Sequence, residues 1–208
     1  MNQLYTALGL LLIALTGPAY AQDKDAAADL RQRLDTMNSL TGAFTQTLLD
    51  EEGELLEESQ GNFAMARPGK FDWHTLEPFE QRLVSNRDNI WVYDPDLQQV
   101  TVRQVDERLR QTPAVILSED MAALQETFQV TRQARQDLTF FVLTPKKNDD
   151  LFARLELGFE GDLLCEIRIH DNLDQVSIFK LEDLSRNGEL DHSRFEFQVP
   201  EGVDVLAD

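Results

Sequence analysis

From residue 43 onward, apolar side chains recur at every second position in short runs separated by turn-forming residues. A period of two puts alternate side chains on opposite faces of a strand, so each run supplies one buried and one wet face of a sheet. The first block of runs covers 43–49, 55–67, 71–76, 80–85, 89–93 and 98–104, divided by Glu52-Gly53, Pro68-Gly69, Glu77-Pro78, residues 86–88 and Asp94-Pro95-Asp96. The second block covers 128–133, 138–144, 152–159, 163–170, 175–181 and 194–199. Consecutive strands joined by short turns predict an antiparallel meander. Leu155, Leu157 and Phe159 share one side of their run, and Phe195, Phe197 and Val199 oppose Arg194, Glu196 and Gln198. One wet face per strand predicts an open or half-closed sheet.

Two stretches break this pattern. Leu30, Leu34 and Met37 recur at helical spacing, with Asp23 and Asp25 where a helix N-terminus favours acids. Between the strand blocks, Thr112 as N-cap and Pro113 at the first helical position open a short helix over 114–117, and Ser118 caps a second through Met121 and Leu124. Two short apolar helices inserted there are placed to cover the open face of a curved sheet.

Residues 1–21 read as a secretory signal peptide: an apolar run from Leu8 to Leu15, a Gly17-Pro18 break, and Ala19-Tyr20-Ala21 as the cleavage site before Gln22. The apolar run is too short to span a bilayer. Residues 22–208 are then expected to form one soluble domain in the periplasm. The single Cys165 has no internal disulfide partner and falls on the parity of Ile167 and Ile169, which predicts a buried small hydrophobe. A net charge of −19 makes nucleic acid and anionic lipid poor partners. It is either a trait of the host or a device that keeps a carrier of greasy cargo off anionic membranes.

Arg67 is the anomaly. It continues the parity of Phe63 and Met65, where an apolar residue is expected, and the turn after it leaves two registers to weigh. A two-residue loop, Pro68-Gly69, pairs Arg67 with Lys70 and returns the arginine to the surface. A three-residue loop, Pro68 to Lys70, pairs Arg67 with Phe71 and joins Phe63, Met65, Arg67, Phe71 and Trp73 on one face. Burial favours the second. Desolvating a guanidinium costs several kcal/mol unless it is hydrogen-bonded or paired, so Arg67 is either a surface-edge residue or a placed functional one. Trp91 and Tyr93 share a parity and are expected beside Phe71 and Trp73, as further wall of an apolar cavity.

No catalytic constellation competes with that cavity. His74, His170 and His192 have no metal-ligand spacing, and there is no nucleophile elbow, phosphate loop, HExxH or CxxC. Paired acids such as Asp149-Asp150 read as solvated turns. The chain is expected to be neither an enzyme nor a cofactor protein.

The ordered set Phe44-Thr45-Gln46, Gly61, Arg67-Pro68 with Phe71 and Trp73, Pro78, Trp91 with Tyr93 and Pro95, Thr112-Pro113, Phe141 with Leu143 and Pro145, Gly161, and Phe195 with Phe197, Pro200 and Gly202 resembles the periplasmic outer-membrane lipoprotein carrier family, the LolA type. That resemblance implies an incomplete antiparallel barrel of about 11 strands, covered by about three helices that form a lid over a hydrophobic cavity. It implies a monomeric chaperone that takes acylated lipoproteins from an inner-membrane lipoprotein-releasing ABC transporter and delivers them to an outer-membrane lipoprotein acceptor. Arg67 matches the arginine expected to latch the lid, and Phe71 the phenylalanine at which acyl chains enter. Ile116 and Leu117 of the inserted helix complete the expected lining. Leu124 and Phe128 depart from an aromatic pair common in the family. The competing reading is a periplasmic lipid-sensing regulatory domain on the same half-barrel.

Overall fold

The structure, a computed structural model, describes residues 24–105, 126–147 and 152–207. One helix, α1 (Lys24–Asp35), precedes eleven strands: β1 (Ser39–Leu49), β2 (Leu55–Ala66), β3 (Lys70–Glu77), β4 (Gln81–Asn86), β5 (Asn89–Asp94), β6 (Gln99–Gln104), β7 (Phe128–Arg135), β8 (Leu138–Pro145), β9 (Arg154–Glu160), β10 (Leu163–His170) and β11 (Val176–Arg186). A 3-10 turn (His192–Phe195) and a short β12 (Asp204–Ala207) follow. All twelve strands lie in one sheet of order β12-β6-β5-β4-β3-β2-β1-β11-β10-β9-β8-β7. The two meanders join where β11 pairs with β1, and the sheet curls without closing.

Three expectations need correction. Among the described residues α1 is the one complete α-helix, with only Glu126 and Thr127 helical besides, so the three-helix lid is not supported; the two helices expected over 114–124, with Ile116 and Leu117, lie outside the described residues. The run 194–199 forms no strand but the 3-10 turn and an extended strap, and the twelfth strand is β12, parallel to β6. Cys165 is the extra residue of a bulge between Leu164 and Glu166, which leaves it half-buried, with its thiol toward the Gly158 carbonyl. The bulge shifts parity, so Leu164 takes the buried place beside Ile167.

The core lies on the concave face. Ala26, Leu30 and Leu34 of α1, with Met37 just past its end, are completely or almost completely buried against it. Each leucine so buried gains about 2 kcal/mol over exposure. Arg33 pins the helix: its Nε donates to Asp29 at 2.8 Å, it reaches the Gly161 carbonyl, and its guanidinium lies 5.5 and 5.6 Å from the Phe141 and Phe159 rings. Gly61 faces inward where β2 and β3 crowd; a Cβ there would meet the His74 carbonyl oxygen at 2.0 Å and the Phe44 ring at 2.8 Å.

Two buried carboxylates organise the convex face. Asp72 accepts from Arg82 Nε at 2.8 Å and Nη2 at 3.1 Å, and from Arg194 Nε at 2.9 Å. Arg194 thus ties the C-terminal strap to the sheet, while Phe195 fills a slot over Ala64 and Ala66 and Phe197 stacks near Trp91. Arg194→Ala is expected to cost about 1–2 kcal/mol, since Asp72 keeps Arg82; a shift of the urea midpoint measures it.

Glu156, 1% exposed, accepts from Arg135 at 2.6 Å and lies 3.0 Å from Arg154 and 3.4 Å from His170. Burial works against its charge, but hydrogen bonds from His170 and Arg135 and the charges of Arg135 and Arg154 outweigh it and bring the carboxyl down to about 2. A carboxyl lowered on folding stabilises the protein fully above its usual value of 4.5 and loses that contribution as pH falls toward about 2. Glu156→Gln is expected to start less stable at neutral pH and to lose less melting temperature than the wild type across that window. Thermal melts at stepped pH check both statements.

Candidate functional site

The β2–β3 hairpin builds the site. Its register pairs Ala66 with Lys70, Met65 with Phe71 and Phe63 with Trp73, leaving Arg67, Pro68 and Gly69 as the loop. Neither register considered from sequence is the one formed. The loop has three residues but begins one residue earlier, which takes Arg67 out of the ladder. Gly69 closes it at φ +66°, the left-handed conformation that three-residue hairpin loops require, and its carbonyl accepts from Ser85 Oγ at 3.1 Å. The face assignment survives because the favoured register differs from the observed one by two residues, which preserves parity. Phe63, Met65, Phe71 and Trp73 therefore do share the concave face, and Phe63, Met65 and Phe71 are buried.

Arg67 sits at the rim of that face. It is half-buried, its Nε is closed off from solvent, and its backbone N–H donates to the Asn38 carbonyl at 2.9 Å. The turn thereby ties the hairpin to the segment joining α1 to β1.

Trp91 and Tyr93 are on the other side. Phe71 pairs with Ser85 and Ser85 with Ile90, while Trp73 pairs with Leu83 and Leu83 with Val92. The concave parity of β5 therefore belongs to Ile90 and Val92. Trp91 and Tyr93 face outward, with ring centroids 6.4 and 5.6 Å from Phe197 of the strap. The aromatic side chains of β5 are not cavity wall but the seat of the C-terminal segment.

In their place the sheet brings residues that the sequence reading does not assign to the site. Phe44 stacks on Trp73 at 4.2 Å, Phe63 lies 5.3 Å from Trp73, and Phe179 of β11 meets Trp73 edge-on at 5.4 Å. Leu40, Leu164, Ile167 and Leu181 complete the lining. The signal was the parity of Leu40 with Phe44 and of Phe179 with Leu181, but only the β1–β11 pairing places those two runs against the hairpin. The pocket between them is small, about 20 Å³, room for about one water. Trp73, Phe179, Leu83 and Val92 are only partly buried at its margin.

Among the described residues, the cavity lining is wholly apolar, no cluster of His, Cys, Asp and Glu is placed to hold a metal, and no helix is long and apolar enough to cross a membrane. The fold is thus an open curled sheet with an apolar concave face and Arg67 at its rim. Residues 35–198 match the family model described as outer membrane lipoprotein carrier protein LolA. Over 205 residues the chain is 40% identical to the outer-membrane lipoprotein carrier protein of Azotobacter vinelandii, covering 98% of this chain and 99% of that one. It is 40% identical over 190 residues to the carrier protein of Chromohalobacter salexigens, covering 91% and 90%. An uncharacterized conserved protein of Thermus thermophilus shares the fold, with a TM-score of 0.54 at 12% identity over 88% of this chain and 98% of that one. The chain belongs to the outer-membrane lipoprotein carrier family. It is a periplasmic lipoprotein chaperone of that type.

Proposed function

We propose that the concave face around Phe63, Met65, Phe71 and Trp73 holds the acyl chains of a lipoprotein, received from an inner-membrane ABC transporter and surrendered to an outer-membrane acceptor by a monomeric carrier. The observation that supports this reading is the wholly apolar lining beside a half-buried arginine at the rim. Burying a CH₂ gains about 0.8 kcal/mol, so a sixteen-carbon chain corresponds to roughly 12 kcal/mol, comparable to what it loses on leaving a membrane. A carrier must match that loss without greatly exceeding it.

The pocket of about 20 Å³ between these side chains is too small for an acyl chain; in this reading its walls part as cargo is seated. The free energy of parting subtracts from cargo affinity and keeps the handover to an acceptor downhill. In this reading Arg67 contributes to the closed state as a latch, and Phe71 lies where chains pass from the rim to the interior. The test is recovery of the protein from periplasm under mild conditions, followed by intact mass spectrometry. Co-recovery of a triacylated or diacylated lipoprotein is expected; recovery only of free lipid or of non-acylated protein would sink the proposal.

A further inference from the structure

Large apolar side chains are exposed at one end of the sheet. The strand pairings bring the turns at 50–54, 78–80, 95–98 and 171–175 side by side there. Leu55 (59% exposed) and Leu56 leave the first turn, Leu76 precedes and Phe79 (73%) tips the second, Leu97 (68%) tips the third and Leu173 (74%) the fourth. The remaining exposed large apolar residues among those described, Val199, Val205 and Leu206, belong to the C-terminal segment. Scattered single exposures are ordinary; a set confined to one end marks an interaction surface.

Around these four turns the same end is acidic, with Lys146 and Lys147 of the β8–β9 connection as basic side chains farther along it. Residues 50–58 are Asp, Glu, Leu or Gly throughout, and Glu77, Glu80, Asp94, Asp96, Asp171 and Asp174 add carboxyls from the other turns. The opposite end is mixed, with Arg67, Arg87 and Arg135 beside Asp88, Asp137 and Asp162. Between the first two acidic turns opens a groove of about 490 Å³, lined by Thr45, Glu58, Ser59, Gln60, Glu77 and Pro78. The tips are held in place: Asp50 accepts from the Glu54 N–H at 2.7 Å, Asp94 from the Leu97 N–H at 3.1 Å and Asp171 from the Leu173 N–H at 2.8 Å. Ordered tips lose little entropy on docking.

We propose that this end docks a protein partner whose surface sets Lys or Arg side chains among apolar ones, with a basic side chain in the groove between Glu58 and Glu77 and apolar residues against Phe79, Leu97 and Leu173. Charge complementarity selects that occupant. A second copy would oppose the same acidic rim, and an anionic bilayer is repelled by it. The carboxyls steer a basic partner at long range, and the apolar tips hold it at contact. Because the Arg67 turn is at the other end, a partner seated here leaves that turn uncovered.

The probes are a labelled peptide alternating Lys and Leu, its Glu and Leu counterpart, and neutral phosphatidylcholine vesicles, each added to the full chain. The Lys-Leu peptide is expected to bind more weakly as salt is raised, with backbone amide NMR shifts concentrated in the four turns. Combining Phe79→Ser, Leu97→Ser and Leu173→Ser is expected to weaken it at least about tenfold, with melting temperature and uptake of a fluorescent fatty acid unchanged because these positions are exposed. Shifts spread over the whole acidic surface or centred on the concave face would overturn the proposal. So would wild-type affinity in the triple variant, equal binding of the Glu-Leu peptide, or vesicle binding in preference to the peptide, which would make the tips a membrane-resting surface.

Discussion

Phe71→Glu is expected to leave a folded protein that no longer takes up acyl chains. Phe71 is 3% exposed, faces the concave side, and lies opposite Met65 one residue after the loop's flanking Lys70. In the acyl-binding reading proposed above, a carboxylate there sits in the path from the rim to Phe63 and Trp73. An ionised group moved from water into apolar surroundings costs several kcal/mol, and the side chain responds by turning toward the rim or by binding a proton. Either response leaves a polar group where methylene groups must pass, and about 3 kcal/mol of added cost lowers acyl affinity by roughly 100-fold. Position 71 is near a strand end, so part of the strain relaxes outward, and far-ultraviolet circular dichroism is expected to stay native with a lower melting temperature. Phe71→Leu is the companion measurement: it keeps the site apolar, loses some packing, and is expected to load within a few-fold of the wild type. Uptake of lipoprotein from transporter-containing vesicles separates the two. Loading by Phe71→Glu at the wild-type rate would reduce Phe71 to ordinary core.

The hairpin containing Phe71 also shows what was legible in the sequence. Period-two alternation is a local property, so each of the eleven runs expected between residues 43 and 181 falls on a strand, and α1 was readable from Leu30, Leu34 and Met37, although Met37 lies just past its end. Parity within one hairpin was readable too, because Phe63, Met65, Phe71 and Trp73 are linked by a single short turn. Register was harder: Arg67 enters the loop or the ladder according to which residue takes the left-handed position, and Gly69 settles that only with the turn geometry in hand. Parity across several turns was harder still. From Phe71 to Trp91 it passes through two hairpins, and one residue gained or lost in either exchanges the faces of β5. The strap defeated the reading for another reason. Phe195 and Phe197 alternate as strand residues do, yet they dock on a sheet's convex surface, and alternation looks the same in both cases. The cavity needed the pairing of β1 with β11, a contact between the two ends of the chain that no local pattern encodes.

Arg67→Leu is expected to load lipoprotein normally and release it about tenfold more slowly or worse. The substitution leaves the scaffold intact: Arg67 lies in the loop, outside the ladder, and the backbone N–H that ties the turn to Asn38 remains. What changes is the closed state. Its side chain is half-buried with Nε shut from solvent; in the latch reading it makes polar contacts that favour the closed state and that an alkyl side chain cannot make. If those contacts favour closure by about 1.4 kcal/mol, losing them raises the open fraction and tightens the apparent grip on cargo about tenfold. Loading from a transporter that supplies its own driving energy is insensitive to that change. Passive transfer to an acceptor is not, because it depends on the difference between two affinities. Arg67→Lys keeps the charge but loses the planar fork of donors, and is expected to fall between the two. The measurement is single-turnover transfer of a fluorescent lipoprotein from pre-loaded carrier to acceptor-bearing vesicles, recorded for all three proteins. Slow transfer by the leucine variant, with tighter retention of cargo in the absence of acceptor, identifies a latch. Transfer at the wild-type rate would make Arg67 a rim residue with no part in closure.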